Sequence, residues 1–264
     1  MFLGISNIGW DSEHDTVIYK WMREYGYSGL EIAPTRIFPE TPYDKLEKAR
    51  IWSHNLEEQY GFLISSMQSI WYGKKERLFG PLEEQKELLT YTKKAIEFAA
   101  AVRCKNLVFG CPKNRILPEG RDSYLAINFF KEVGDFAAAH DTVIGMEANP
   151  PIYGTNYMND TKSALELIEV VGSKGFLLNL DIGTMIQNME TAEEIRGHVH
   201  VINHVHISEP NLKPIQKREL HREIFKVLRR EHYTGGISIE MGKTDLTNIK
   251  NAMQYVREVF LNDL

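Results

Sequence analysis

The sequence contains only two cysteines, no run of basic residues and no long apolar stretch, and each absence excludes a class of protein. Cys104 and Cys111 lack the spacing of a metal-binding motif, so a reduced, cytoplasmic protein is the simpler expectation. No stretch is apolar for long enough to span a bilayer, and the N-terminus does not resemble a signal peptide. The net charge of −5 offers no basic surface to nucleic acid. We therefore expect a soluble protein that binds neither membranes nor nucleic acid.

Length and the order of the predicted elements favour one α/β barrel. The 264 residues are close to the roughly 250 that a (β/α)8 TIM barrel typically uses. Short apolar stretches alternate with amphipathic segments along the chain, which is typical of a parallel sheet covered by helices. No glycine-rich phosphate loop follows any of the stretches. Counting eight strand–helix units favours the closed barrel over an open sheet, with residues 1–264 as a single domain.

The boundaries follow from periodicity, helix caps and glycines. The predicted strands are Phe2–Ile8, Gly29–Pro34, Phe62–Ser69, Asn106–Cys111, Val143–Glu147, Leu178–Gly183, Ile202–His206 and Gly236–Glu240. The predicted helices are Glu13–Tyr25, Tyr43–Tyr60, Leu82–Val102, Asp122–Ala139, Asn159–Val171, Thr191–Gly197, Lys217–Arg230 and Leu246–Phe260. Residues 35–42 are expected to form a loop, and Asn159 or Asp160 is expected to cap the helix that follows strand five.

An ionisable residue stands at or near the end of each of the last four predicted strands. Side chains alternate across a strand, so these residues share one face while large aliphatic residues take the other. The polar face points into a barrel that helices cover, and active sites of such barrels lie at the C-terminal strand ends. Three carboxylates and an imidazole suit a divalent ion, such as Mn²⁺, Mg²⁺, Co²⁺ or Zn²⁺, and burying them unpaired is costly. The predicted metal ligands are Glu147, Asp181, His206 and Glu240.

Four short motifs resemble the xylose isomerase-like barrel superfamily of sugar isomerases and epimerases, which also includes endonuclease IV. They are Glu147, Leu-Asp-Ile-Gly at 180–183, His-Val-His-Ile-Ser-Glu at 204–209 and Ser-Ile-Glu at 238–240. Each motif is short, but their order and their placement at strand ends are together specific, and the resemblance spans nearly the whole chain. Within the superfamily, the pattern is most similar to that of the ketose 3-epimerases.

The resemblance implies a ligand set, a reaction and a substrate class. In the ketose 3-epimerases, residues matching Glu147, Asp181, His206 and Glu240 bind one divalent ion, for which we expect Mn²⁺ first. The ion would hold the carbonyl and adjacent hydroxyl of a small carbohydrate and stabilise a metal-bound enediolate. Glu147 and Glu240 would be the catalytic pair, one removing the α proton and the other returning a proton to the opposite face.

Three positions depart from the ketose 3-epimerase pattern. Thr184 replaces a histidine, Leu212 replaces a substrate-binding arginine and Tyr153 replaces a glutamate. Because the family uses those side chains to grip sugar hydroxyls, the resemblance implies an altered substrate, which is a sugar or a sugar derivative. Endonuclease IV matches poorly, since Gln68 and Gly110 stand where its additional histidines would be.

Two other functions remain open from the sequence. An inosose-type dehydratase would use the same metal core but expel a β-hydroxyl, and a non-catalytic barrel would bind a sugar without turnover. Two residues, His204 and Asn179, lie a layer deeper and are expected to orient the ligands by hydrogen bonds. A homo-oligomer is also compatible with such a barrel.

Five further residues are expected to contact the substrate, and four of them have a simpler alternative. Asn149 either donates a hydrogen bond in the pocket or is only a turn residue. Glu31 either binds substrate or pairs with a nearby cation, and Trp10 either walls the pocket or only packs. Lys243 either forms a phosphate site with the Thr244 amide or is merely solvated. The full set is Trp10, Glu31, Gln68, Asn149 and Lys243.

Overall fold

Eight parallel strands close into a barrel in which each strand pairs with its neighbours in chain order. The structure is a computed structural model and describes residues 1–262. Strand β1 pairs with both β2 and β8, which completes the closure. The predicted (β/α)8 architecture is therefore confirmed.

The strands are short and the helices lie outside them. The strands are β1 (Phe2–Ser6), β2 (Tyr27–Ile32), β3 (Leu63–Met67), β4 (Leu107–Phe109), β5 (Ile144–Met146), β6 (Phe176–Asp181), β7 (Ile202–Ile207) and β8 (Gly236–Ile239). The helices are α1 (Asp15–Tyr25), α2 (Pro34–Ile37), α3 (Leu46–Tyr60), α4 (Leu82–Ala101), α5 (Tyr124–Ala139), α6 (Thr161–Val171), α7 (Ile182–Asn188), α8 (Glu219–Arg230) and α9 (Leu246–Asn262). Among these helices, none has the combined length and apolarity that crossing a membrane requires.

The outward faces of the strands form the main core with the helices. Leu180, Val205 and Ile239 are each no more than 1 % exposed and belong to the same apolar cluster as Ile224 and Leu228 of α8. The spacing of four residues puts Ile224 and Leu228 on one face of the helix. Burial of each such side chain contributes about 1.5–3 kcal/mol. This layer holds the strand ends in fixed positions.

The inside of the barrel is packed with small and polar groups. Asn106 donates hydrogen bonds to Ser66 Oγ at 2.9 Å and to Asn179 Oδ1 at 3.2 Å. A Cβ atom on Gly145 would lie 2.6 Å from Asn106 Oδ1, so only glycine fits between the two asparagines. The interior is thus a hydrogen-bonded polar layer beneath the C-terminal strand ends.

Two local predictions differ from the structure. The expected loop 35–42 begins with the short helix α2, which Pro34 starts at its first position. The helix expected at Thr191–Gly197 is only a 3-10 turn, Ala192–Ile195, and the helix that follows β6 is α7. Helix α7 begins directly after Asp181, because the Asp181 carboxylate accepts a hydrogen bond from the Thr184 N–H at 2.5 Å.

Candidate metal centre

The four predicted ligands converge at the C-terminal end of the barrel. Glu147, Asp181, His206 and Glu240 each offer a ligand atom, and these atoms all lie within 4.8 Å of one another. Strand register places Asp181 directly beside His206. His206 Nδ1 lies 3.0 Å from Glu147 Oε1 and 3.3 Å from Glu240 Oε2. The pattern of alternating strand residues therefore brings together the groups that the sequence singled out.

Glu147 and Glu240 lie just beyond the ends of β5 and β8, but backbone hydrogen bonds to the neighbouring strands still fix their positions. The Glu147 N–H donates to the Phe109 carbonyl at 3.1 Å, and the Glu240 N–H donates to the Ile207 carbonyl at 2.9 Å. Both side chains are about nine-tenths buried, with 8 % of each residue exposed. The carboxylates are thus held at defined positions on either side of His206.

The centre carries more negative charge than its own imidazole balances. Burial raises the pKa of Asp181 to about 6 and of Glu240 to about 7, and the Glu147 carboxylate adds to both shifts. Although burial opposes it, the carboxylates of Glu31 and Glu240 hold the pKa of His206 well above its usual range. Two buried glutamates and the half-buried Asp181 face one imidazole, which is the donor set and charge pattern of a divalent-cation site. A divalent metal ion therefore fits these residues.

Glu31 lies beneath His206 and not in the substrate pocket. Its Oε2 atom is 2.7 Å from His206 Nε2, and its Oε1 atom accepts a hydrogen bond from Gln68 at 3.2 Å. Despite its complete burial, the pKa of Glu31 is held well below its usual range by His206 and His204. Glu31 thus pairs with His206 and fixes the imidazole so that Nδ1 faces the centre, while substrate contact by Glu31 stays a prediction.

The deeper layer contains both residues that were expected to orient ligands. Asn179 Nδ2 donates to Glu147 Oε1 at 2.9 Å and lies 3.3 Å from His206 Nδ1. His204 Nε2 lies 3.0 Å from Ser238 Oγ and 3.4 Å from Glu31 Oε2, and its ring packs edge-on against His206 with ring centroids 5.4 Å apart.

Two residues near the centre were not predicted. Arg115 is completely buried, and its guanidinium donates to the Glu147 carbonyl and to Asn149 Oδ1, both at 2.9 Å. Asn149 in turn donates to Glu147 Oε2 at 3.1 Å, so Arg115 helps to orient the carboxylate. Ser208 Oγ donates to Asp181 Oδ2 at 2.5 Å. Ser208 lies two residues after His206, so the alternation of side chains along β7 could have predicted that both lie on the same face. No pattern in the sequence predicts that Arg115 points towards the centre.

A cavity of about 200 Å³ opens above the carboxylates. Of the predicted substrate-binding residues, Gln68 and Asn149 line it. Of the three departures from the ketose 3-epimerase pattern, Tyr153 and Leu212 line it, whereas Thr184 is buried and donates to the Ala148 carbonyl at 2.8 Å. The complete lining is Gln68, Ser69, Val108, Gly110, Cys111, Pro112, Glu147, Asn149, Tyr153, Asp181, Ser208, Leu212 and Glu240.

Trp10 and Lys243 do not line this cavity, and their contact with substrate stays a prediction. Trp10 is buried and donates its indole N–H to Asp15 at 2.7 Å. Lys243 pairs with Asp11 at 2.5 Å, and the Thr244 N–H already donates to the Gly9 carbonyl at 3.0 Å. The groups that a phosphate site would need are therefore engaged elsewhere.

The fold and the buried carboxylate–imidazole centre define a barrel protein with a metal-type site at its C-terminal end. Residues 19–259 match the family model of the xylose isomerase-like TIM barrel, and the chain belongs to this family. No curated protein sequence matches the chain significantly.

Solved structures resemble the chain over almost its full length. D-psicose 3-epimerase with D-tagatose from Clostridium cellulolyticum H10 has a TM-score of 0.78 at 15% identity, covering 98% of this chain and 99% of that one. The 3-keto-D-glucoside 4-epimerase YcjR from E. coli has a TM-score of 0.73 at 17% identity, with 98% of both chains covered. The probable 3-DHS dehydratase AsbF from Bacillus anthracis has a TM-score of 0.70 at 16% identity, with 100% of both chains covered. At these identities the likeness shows a shared fold.

Proposed function

We propose that this protein is a divalent-metal-dependent isomerase or epimerase of a sugar or sugar derivative. The observation that carries the proposal is the convergence of Glu147, Asp181, His206 and Glu240 within 4.8 Å at the floor of a cavity. Support also comes from the structural relatives, two of which are described as epimerases of carbohydrates. The substrate is a small carbohydrate, and the four side chains would bind one metal ion, with Mn²⁺ the first candidate.

When bound, such an ion would supply Lewis-acid polarisation of a carbonyl oxygen, which makes the neighbouring C–H more acidic. Glu147 and Glu240 both line the cavity, from the ends of β5 and β8, and are assigned as the acid–base pair. Asn149 and Asn179 hold the Glu147 carboxylate through hydrogen bonds of 3.1 and 2.9 Å, which suits a group that removes a proton. Glu240 approaches His206 Nδ1 from the end of β8, whereas Glu147 approaches it from the end of β5, which suits Glu240 to return a proton to the opposite face of the carbon.

Solvent deuterium exchange tests the proposal directly. The Mn²⁺-loaded protein is incubated in D₂O with a panel of ketoses, inososes and sugar phosphates, and the α positions are followed by NMR. We expect deuterium at one α carbon of at least one compound, because proton abstraction from that carbon is reversible. Absence of exchange from the whole panel, with metal shown to be bound, would contradict the proposed reaction.

Dehydration on the same centre is the second candidate. The observation that favours it is the match to AsbF, described as a probable dehydratase, over the complete length of both chains. Both reactions begin with removal of the α proton by a carboxylate. They differ in whether the second carboxyl group returns a proton to carbon or gives it to a departing β-hydroxyl. A product lighter by one water identifies dehydration, and a product of unchanged mass identifies isomerisation or epimerisation.

A further inference from the structure

Both polar and apolar side chains line the cavity above the centre. Gln68, Ser69, Asn149 and Ser208 supply hydrogen-bonding groups next to the carboxylates. Five further lining residues have mainly apolar side chains and come from β4 and from the loops after β4, β5 and β7. These residues are Val108, Cys111, Pro112, Tyr153 and Leu212. A polyol with hydroxyl groups along its whole length would leave some of them against these residues without partners.

No cationic side chain lines the cavity within the described residues 1–262. Arg115 is the nearest guanidinium in the site, but it is completely buried and donates to Glu147 and Asn149. Lys243 is paired with Asp11, and the N-terminus of α9 is capped by Asp245, which accepts from the Asn248 N–H at 2.8 Å. A phosphorylated or carboxylated substrate would therefore meet carboxylates without a compensating cation.

Leu212 is held in the cavity by a strained backbone. Asn211 and Leu212 both adopt left-handed conformations, with φ of 61° and 53°. Such non-glycine conformations cost about 1–3 kcal/mol each and persist only where the surroundings impose them. Here the Leu212 N–H donates to the Glu209 carbonyl at 2.9 Å, and the Leu212 carbonyl accepts from Gly242 at 2.8 Å. This arrangement presents the isobutyl group to the substrate.

Tyr153 joins Leu212 across the end of β6. Its hydroxyl oxygen accepts a hydrogen bond from the Asn211 N–H at 2.8 Å, which ties the loop after β5 to the loop after β7. The aromatic ring and the isobutyl group are thus preorganised as neighbours on one wall. Because this pair of apolar side chains is held in place before a ligand binds, it favours ligands that present an apolar group to it.

We propose that Tyr153 and Leu212 form an apolar subsite that selects an uncharged substrate whose end remote from the centre is a methyl or methylene group. A hydroxymethyl or phosphoryl group at this end is disfavoured. The inference rests on the proposed function, because it takes the polar end of the substrate to lie at the carboxylate–imidazole centre. It concerns only the substrate class of that site.

Three matched ketoses test the subsite with the Mn²⁺-loaded protein. They are a ketohexose, its 6-deoxy counterpart and its 6-phosphate, compared by α-deuterium exchange in D₂O. We expect kcat/KM for the 6-deoxy compound to exceed that of the parent by about tenfold, since one buried hydroxyl costs about that factor. For the 6-phosphate we expect a value at least about a hundredfold below the parent, because a buried phosphoryl charge has no partner. A 6-phosphate that exchanges as fast as the parent overturns the inference while leaving the proposed function intact.

Binding of unreactive analogues separates the two proposals. Alditols lack the carbonyl and cannot exchange, so calorimetry reports their affinity independently of the reaction. We expect the 6-deoxyalditol to bind about tenfold more tightly than the parent alditol, whether or not any ketose exchanges. Equal affinity overturns the apolar subsite, whereas absence of exchange from all ketoses contradicts the proposed function.

Two arginine variants give the matched control. Leu212→Arg places a cation in the cavity, whereas Ile152→Arg places one on the exposed neighbouring loop, where Ile152 is 46 % exposed and does not line the cavity. We expect Leu212→Arg to lose the preference for the 6-deoxyalditol and to gain affinity for the alditol 6-phosphate. Ile152→Arg should retain the wild-type order. If both variants keep the wild-type preferences with unchanged thermal unfolding, Leu212 does not determine specificity.

Discussion

The two halves of the barrel contribute differently to the same centre. The half formed by β5–β8 supplies the four predicted ligands, each within one residue of the end of its strand. The half formed by β1–β4 supplies residues that hold those ligands: Glu31 contacts His206, Gln68 contacts Glu31, and Arg115 contacts the Glu147 backbone. The difference indicates that the candidate ligands come from one half, whereas the orienting contacts come from both, because Asn149, Asn179 and Ser208 of the ligand half also hold Glu147 and Asp181. Substitutions in the two halves should therefore differ in size and in kind.

The largest effect is expected from Glu240→Gln in the ligand half. The amide oxygen still offers a ligand atom, but it cannot carry a proton, so the exchange rate should fall by about a thousandfold. Deuterium exchange at the α carbon measures the loss, and metal content measures whether the ion is retained. Glu223→Gln on the exposed side of α8 is the control and should exchange at the wild-type rate. Near wild-type exchange in Glu240→Gln would remove Glu240 from the acid–base pair.

His206→Ala should have the next largest effect, and on metal affinity in particular. The substitution removes a ligand whose Nδ1 atom lies at the middle of the carboxylate cluster, so affinity for Mn²⁺ should fall by more than about a hundredfold. Calorimetric titration of the metal-free protein measures the change. His198→Ala alters an exposed imidazole and should leave the affinity unchanged. Full metal affinity in His206→Ala would exclude His206 as a ligand.

Glu31→Gln tests the supporting half and should have a smaller effect. The glutamine keeps the shape of the side chain but loses the negative charge that orients the His206 ring at 2.7 Å. Loss of such a partner typically costs ten- to a hundredfold in metal affinity. The same titration applies, so the two variants are compared directly. A loss as large as that of His206→Ala would erase the distinction between the halves, and Glu31 would then count as a ligand.

The contrast between the halves also explains which parts were predictable. Glu147, His206 and Glu240 lie on regular strands or on their direct continuation, where a two-residue period fixes the direction of every side chain. The same period identifies the outward residues, so both the barrel and the ligand face could be predicted from the sequence.

Glu31 and Asn179 support the centre from strands, but the supporting contacts made from loops follow no such period. Arg115 reaches Glu147 only because the loop after β4 turns its guanidinium inward, and that path is set by tertiary packing. Helix α7 was missed for a related reason. Asp181 belongs to the strand pattern and simultaneously caps the helix, so strand and helix meet without an intervening loop signal.

His206 in the centre and His221 on α8 are both buried, but their surroundings differ. Substitution of His221 should have the smallest effect on deuterium exchange. The carboxylates hold the pKa of His206 well above its usual range, despite its burial. Among residues 1–262, the Tyr255 hydroxyl is the one hydrogen-bonding partner of the His221 side chain on α8, and burial lowers the pKa of His221 from 6.5 to about 4. Replacing His221 by Gln should therefore leave exchange at pH 7.5 unchanged.

The effect of His221 should instead be on stability in acid. The unfolded chain binds the His221 proton below about pH 6.5, but the folded protein binds it only below about pH 4, so acidification between these values favours unfolding. Between pH 6.5 and 4.5 the free energy of unfolding should fall by about 2 kcal/mol more in wild type than in His221→Gln. Urea unfolding with a chelator present measures this, because the carboxylates of the centre then titrate identically in both proteins. Parallel pH profiles would mean that His221 is protonated equally in the folded and unfolded states, and its burial would then carry no electrostatic cost.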